Sequence, residues 1–210
     1  MIKYWQDNSA RMMQLTIEHA RMVLIALFIA FLVAIVLIAV FLRKKNWMNS
    51  LIYFFSLLYS VPSYAFFALL IPITGLGETT AIIVLAFYNE YVLLRTFITG
   101  IREVDPNYIK VARGMGMTQE EIFTKVQLPL SMPAIFSGLQ VALASTMAIA
   151  TIASTISAGG LGDLMFEGLQ TGRVVSILWG TILTVALTLV CIVILKLIEN
   201  LVISDGLEKS

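Results

Sequence analysis

Residues 102–129 read REVDPNYIKVARGMGMTQEEIFTKVQLP, and this stretch decides the fold because it is the part of the chain that does not belong in a membrane. Eight charged side chains fall in it (Arg102, Glu103, Asp105, Lys110, Arg113, Glu120, Glu121 and Lys125), while the segments on either side are long and apolar. Asp105 before Pro106 predicts an N-cap followed by proline at the first helical position, where a missing N–H costs nothing. Tyr108, Val111, Ala112 and Met115 then share one face, with Lys110 and Arg113 leaning away from it, which describes an amphipathic helix too short to span. Gly114 and Gly116 permit the positive φ that ends such a helix, Thr118 with Glu121 predicts a capping box that starts a second one, and Leu128 with Pro129 closes it. Two capped helices also describe an ordinary solvated loop. Connections beyond roughly 12–15 residues usually carry structure or function, so a docking surface is expected.

Working outward, 59% of the 210 residues are hydrophobic and 13% charged, which places the chain among multispan membrane proteins and leaves no room for a separate soluble domain. A net charge of +1 carries no nucleic-acid signal. Cys191, the single cysteine, lies in an apolar run and reads as a small packing residue. No GxxxxGK[ST] phosphate loop occurs, so the chain has no visible means of hydrolysing ATP. It is not expected to be an enzyme, and its energy comes from a partner or a gradient.

One domain, 1–210, with five spans is expected. Ser9 to Arg21 reads as a helix lying on the membrane surface, and lone His19 in it has a surface or capping role rather than a metal-binding one. Met22 to Leu42 is the first span, retained rather than cleaved as a signal peptide, and Arg43, Lys44 and Lys45 stop it. Leu51 to Ile73 is the second, bent by Pro62 near Ser60 and Ser63, with Pro72, Gly75 and Gly77 in the following turn. Thr80 to Thr99 is the third and carries Asn89 and Glu90 near its middle. Met132 to Ser157 is the fourth, where Ala142, Thr146, Ala150, Ser154 and Ala158 recur every fourth residue, either a packing seam or a pore wall. Gly159, Gly160, Gly162 and Asp163 form a tight re-entry loop before a short amphipathic piece, Leu164 to Leu169, and Val174 to Ile198 is the fifth span.

Short cytoplasmic loops retain lysine and arginine. With the N-terminus outside, the inner side holds Arg43, Lys44, Lys45, Arg102, Lys110, Arg113, Lys125 and Lys209, against Lys3, Arg11, Arg21 and Arg173 outside. That bias puts the opening stretch and the C-terminus in the cytoplasm.

Lys110-Val-Ala-Arg-Gly-Met-Gly116, followed by Val126-Gln-Leu-Pro129, resembles the EAA motif of ATP-binding cassette importer permeases: Glu-Ala-Ala, three residues, Gly, nine residues, Ile, one residue, Leu-Pro. Ala112, Gly116, Leu128 and Pro129 match at the right spacing. Lys110 replaces the glutamate, Val111 an alanine and Val126 the isoleucine. The similarity runs from about Glu18 to Asn200, through Val61-Pro-Ser63, the turn Leu70-Ile-Pro-Ile-Thr-Gly-Leu-Gly77, Leu94-Arg-Thr96 and Ile156-Ser-Ala-Gly-Gly-Leu-Gly-Asp163, and it looks like the osmoprotectant subgroup, importers of glycine betaine, carnitine, choline or related quaternary amines. The resemblance implies an all-α membrane protein, five transmembrane helices of the type I, methionine-permease-like importer core, with a cytoplasmic coupling helix between spans three and four. It implies a bacterial inner-membrane location, a homo- or heteromeric permease dimer, two ATPase subunits that carry the ATP and Mg, and an extracytoplasmic solute-binding protein; the chain itself binds no cofactor. The residues implied to couple to the ATPase are Tyr108, Lys110, Ala112, Arg113, Gly114, Gly116, Glu121, Leu128 and Pro129.

Glu90 is the sharpest anomaly, because a charge at the bilayer centre costs several kcal/mol. Three readings stand: a pore-facing carboxylate for a cationic solute, a structural pair with a neighbouring helix, or a third span drawn in the wrong place. Arg95 is a poor partner on the same helix, since five residues turn it by roughly 140°. Tyr88 and Tyr91 flank Glu90 with aromatic faces that suit quaternary ammonium, or simply pack. The quartet Tyr88-Asn89-Glu90-Tyr91 departs from the more apolar, proline-containing pattern of the family at this point. Further candidates for the path are Ser60, Ser63 and Tyr64 at the kink and Thr151, Ser154 and Thr155 in the fourth span. The rival functions are a permease for another solute such as methionine, a self-contained channel or secondary transporter, which would want an ionisable relay or inverted repeat, and a structural membrane subunit.

Overall fold

The structure, a computed structural model, describes residues 1–41 and 44–203, the Lys45 side chain excepted. Leu42, Arg43, Lys209 and the C-terminus, which entered the expected span boundary and charge bias, lie outside the described residues. Among the described residues the chain is helical with no strand: α1 Ile2–Phe41, α2 Lys45–Ser60, α3 Ser63–Thr74, α4 Glu78–Arg102, α5 Pro106–Gly114, α6 Gln119–Ile122, α7 Leu128–Ala153, α8 Gly162–Thr171 and α9 Val174–Val202. Four helical stretches are long and apolar enough to cross a membrane, namely α1, α4, the α6–α7 run Gln119–Ile156, and α9; α2 and α3 make a fifth if the bent pair is one broken span.

α1 corrects the sequence reading. No surface helix precedes a separate span; one uninterrupted helix of 40 residues runs through both. At 1.5 Å per residue it is about 60 Å long, twice a hydrocarbon core of roughly 30 Å. No glycine or proline occurs in Ile2–Phe41 to break it. Its N-terminal half is held by tertiary contacts, with Met12 and Leu15 packed on Leu161 and Leu164 of the re-entry loop and α8. Trp5 packs tilted against Trp179 with ring centroids 5.0 Å apart, Tyr4 Oη donates to Ser176 Oγ at 3.0 Å, and Arg11 pairs with Glu167 at 2.6 Å. His19 is accordingly buried rather than on the surface, seated so tightly against Gly160 that a Cβ there would lie 2.9 Å from its Nδ1.

The expected second span is broken rather than bent. α2 and α3 meet at 97°. Val61 adopts extended backbone, as a residue before proline is pushed to do, and Pro62 has no N–H to continue the helix. Tyr88 Oη of α4 donates to the freed Val61 carbonyl, so the break is satisfied from inside the protein, the condition for irregular backbone at membrane depth. Pro72 sits inside α3, and the turn is left to Gly75 and Gly77.

α4 is the axis of the bundle, packed on α1, α2, α3 and α7, and it supplies much of the core with Val84, Leu85, Leu93, Leu94, Phe97 and Ile98. Its tightest neighbour is α7. Ala142, Thr146 and Ala150 are buried, Thr146 on Asn89 of α4, which resolves that part of the every-fourth-residue stripe as a packing seam. A Cβ on Gly138 would lie 2.1 Å from Thr96 Oγ1, and one on Gly100 would lie 2.5 Å from the Ala134 Cβ. α9 is buried only near its start, at Ser176, Gly180 and Thr184, and offers Val185, Leu189, Val193 and Leu197 to its surroundings.

Candidate functional site

Asp105 caps α5 through its carboxylate, which accepts from the Asn107 N–H at 2.8 Å, with Pro106 in the first helical turn. Of the two glycines expected to adopt positive φ, Gly116 does, at 84°, whereas Gly114 is the last residue of α5. The capping box is formed: the Glu121 N–H donates to Thr118 Oγ1 at 3.3 Å, and the Thr118 N–H donates to the Glu121 carboxylate at 3.0 Å. Those contacts, the Thr118 N–H first and then Lys125 Nζ at 3.0 Å, hold the Glu121 carboxyl at about 2, below the ordinary value of 4.5. Its contribution to the cap is therefore complete above 4.5 and fades as pH falls towards 2.

Leu128 and Pro129 do not close the second helix, contrary to the sequence reading. A π-helical turn, Phe123–Gln127, joins α6 to α7, and the Leu128 N–H reaches back to the Phe123 carbonyl. The wider turn comes just before Pro129, which cannot donate and whose ring would crowd the carbonyl four residues back. α6 and α7 thus form one continuous rod.

This assembly presents a distinct face. Tyr108 and Val111 on α5 and Met115 just past its end, spaced i, i+3 and i+7, are 53%, 63% and 67% exposed, while Ala112 turns inward and is buried. Lys110, Arg113, Gly114 and Gly116 surround that apolar strip and are exposed too. Three large apolar side chains are thus held outward by a capped, nine-residue helix.

The expected path residues separate into four places. Ser60, Ser63 and Tyr64 gather at the α2–α3 break with Tyr88. Tyr59, which sequence reasoning missed although it lies two residues before Val61-Pro62, joins them, its ring 5.5 Å from Tyr88 and 5.0 Å from Tyr91. Phe66 adds a further ring 5.9 Å from Tyr88, and Arg95 closes the cluster by donating to Tyr91 Oη at 2.5 Å. Asn89 points the other way, to α7, where its Oδ1 lies 2.7 Å from Thr146 Oγ1. Thr151, Ser154 and Thr155 form a third group at the end of α7, each hydroxyl bonded to a carbonyl of the preceding turn.

Asn89 and Thr146 are 1% and 2% exposed. Interhelical hydrogen bonds in membranes average about 0.6 kcal/mol and reach about 1.7. Thr146→Val keeps the shape and removes the hydroxyl, so it is expected to lower stability by about 1 kcal/mol. A thermal unfolding midpoint unchanged from wild type in detergent would show that this contact is not stabilising.

Glu90 lies on neither of those faces. It is twelve residues from Glu78 and twelve from Arg102, the two ends of α4, and so lies at the middle of that helix. It is 4% exposed, it borders an apolar cavity between α1, α2 and α4, and its Oε2 has no hydrogen-bond partner among the described residues. The structural-pair reading therefore finds no partner within the described chain.

Residues 26–204 match the family described as binding-protein-dependent transport system inner membrane component. The choline transport system permease protein OpuBB of Bacillus subtilis is 33% identical over 209 residues, covering 100% of this chain and 96% of that one. The glycine betaine/carnitine/choline transport system permease protein OpuCB of the same organism is also 33% identical, over 99% and 96% of the two chains. The carnitine transport permease protein OpuCB of Listeria monocytogenes is 36% identical over 90% and 87%. Among solved structures, an inward-facing form of the MetNI methionine ABC transporter superposes with a TM-score of 0.79 at 19% identity, covering 91% of this chain and 98% of that one, a likeness of fold.

Proposed function

The chain belongs to the binding-protein-dependent transport system inner membrane components, and from that premise we propose that it is the permease subunit of an ATP-driven importer for osmoprotectants of the quaternary-amine class. The observation that carries the solute class is the full-length relationship to permeases named for choline, glycine betaine and carnitine. The aromatic cluster of Tyr59, Tyr88, Tyr91 and Phe66 at the broken helix supports it, because a charged group without N–H donors is held by ring faces. The translocation path runs past that cluster and the Ser60, Ser63 and Tyr64 side chains, with a second permease subunit completing it.

Two ATPase subunits dock on the α5–α6 surface from the cytoplasm, with the N-terminus on the outer side facing a solute-binding protein. Their hydrolysis supplies the energy, and this chain transmits it. The docking surface is well placed to do so: residues 103–105 alone separate α5 from α4, and α6 is continuous with α7. α4 and α7 form a tight pair, so a displacement of the surface moves both as one body. Tyr88 carries that movement to the Val61 carbonyl, the hinge between α2 and α3. No chemistry is needed here.

The test is uptake by proteoliposomes holding the chain with its ATPase and solute-binding partners. ATP-dependent accumulation of choline, glycine betaine or carnitine, without accumulation of methionine, is the expected outcome. Methionine uptake in their place overturns the solute class and leaves the importer fold standing.

A further inference from the structure

Two cavities adjoin between α1 and α7. The larger, about 360 Å³, has Phe31 of α1, Phe97 of α4, Leu128 of α7 and Val202 of α9 among its walls, with Phe123 of the π-helical turn beside Leu128. The smaller is framed by Leu24 and Phe28 of α1 and shares Phe31 and Leu139 with the larger. Every residue that lines either one is apolar. Together they form one furrow that follows α1 from Leu24 to Ala39. Phe28 and Ile35 on its α1 side are exposed, so it opens sideways to the bilayer.

Length, volume and chemistry select the occupant. From Leu24 to Ala39 the helix rises about 22 Å, more than the roughly 15 Å of one leaflet, so an extended acyl chain lies along the furrow at full length. The larger cavity has room for about a dozen methylene groups, each taken as the size of a water, roughly 30 Å³. Water itself does not fill it, because a water needs two to four polar partners and the walls offer none. A helix of a second permease copy, about 10 Å across, is too bulky to enter and could only cover the slot. Beyond Ala39 the chain turns at Lys44, whose N–H donates to the Phe41 carbonyl at 2.8 Å. Lys44 is exposed and has no ion-pair partner among the described residues, which leaves its ammonium for a phosphate at the furrow's end.

We propose that this furrow seats one acyl chain of a membrane phospholipid, with the lipid phosphate at Lys44 and the tip of the chain towards Leu24. Phe123 and Leu128 flank the π-helical turn that joins α6 to α7, so the seated chain packs against the joint between the α5–α6 connection and the bundle. Its methylene groups supply the contacts that an empty slot beside the joint would forfeit, and joint and bundle then move as one body. The site lies apart from the solute path, since a charged solute finds no polar partner in it.

The sample is the permease–ATPase complex in phosphatidylcholine nanodiscs, with a small fraction of the lipid carrying a diazirine at the tip of one acyl chain. After illumination the adducts are mapped by peptide mass spectrometry. They are expected to saturate at one per chain and to concentrate on Leu24, Phe28 and Leu139. Ala39→Phe, which puts a ring across the furrow, should lower them at least tenfold. Val36→Phe, an enlargement on the exposed surface of α1 outside the furrow, should leave them unchanged. Ala39 and Val36 are both exposed, so neither variant disturbs the core. Lys44→Ala should lower the yield several-fold, as should a diacylglycerol with the same tip and no phosphate. Adducts spread without saturation over all the lipid-facing helices, or an equal loss in the two phenylalanine variants, overturn the site. Protection of the furrow together with a cross-link between two permease copies there makes it a subunit contact and overturns it too. Equal labelling by the diacylglycerol overturns the phospholipid assignment.

Discussion

Gly116→Asp is expected to abolish association with the ATPase subunits and to reduce ATP-driven uptake at least tenfold, while the chain still inserts and folds. Gly116 sits at φ 84°, and a Cβ there meets nothing within 4 Å, so the fold itself tolerates a side chain at the cost of the left-handed backbone, about 1–2 kcal/mol. The consequence falls on the docking surface. Gly116 adjoins Met115, which with Tyr108 and Val111 forms the exposed apolar strip, and a carboxylate there must be desolvated without a partner when the surface is covered. Gly116→Ala separates the two effects, since it adds the backbone strain and no charge; it should lose several-fold less. Co-purification of the ATPase with the chain is the direct readout. An aspartate variant that retains both the complex and uptake would remove α5 from the coupling role.

Gly138→Leu has the largest expected effect on the fold. A Cβ at this position would lie 2.1 Å from Thr96 Oγ1 and 2.8 Å from Thr96 Cβ. Thr96 cannot simply turn away, because its χ1 is stiff and its hydroxyl donates to the Val92 carbonyl at 2.7 Å. The added side chain therefore separates α4 from α7 and removes the dispersion contacts of the seam that runs through Ala142, Thr146 and Ala150. Overpacking of this kind costs about 1–3 kcal/mol for an added methyl group and more for a longer chain, enough to prevent recovery of a monodisperse protein. Gly138→Ala is the graded version, with a lowered unfolding midpoint, and Thr96→Gly in the same chain should restore part of the loss by clearing the contact. An alanine variant as stable as wild type would show that the two helices are not pressed together at this point.

The stretch from Arg102 to Pro129 was legible because its signals are local. A capping aspartate before proline, a capping box and a glycine each act within four residues, and all three are found where the residues put them. The same locality explains the error at Pro129: proline near a helix start reads as a stop, yet a π-helical turn ahead of it lets the helix run on into α7. The length of the apolar runs likewise placed three of the long helices, α4, α7 and α9, near their true positions. It did not foresee that α1 would run unbroken through both of its halves, because the cause lies in residues over 140 positions away, at Leu161, Leu164 and Trp179.

By itself, then, the sequence determined that this is a multispan membrane chain with a capped, charged connection between two of its long apolar segments, since composition and local capping signals are properties of the chain before it folds, and its motif spacing tied it to the importer permeases. The tertiary structure decided which way neighbouring residues face. Tyr88, Asn89 and Glu90 are consecutive, yet one supports the α2–α3 break, the next joins α7 and the third borders an apolar cavity towards α1. The physical reason is the helix itself: each residue turns the side chain by about 100°, so three adjacent positions meet three different neighbours, and only the packing of the bundle says which neighbours those are.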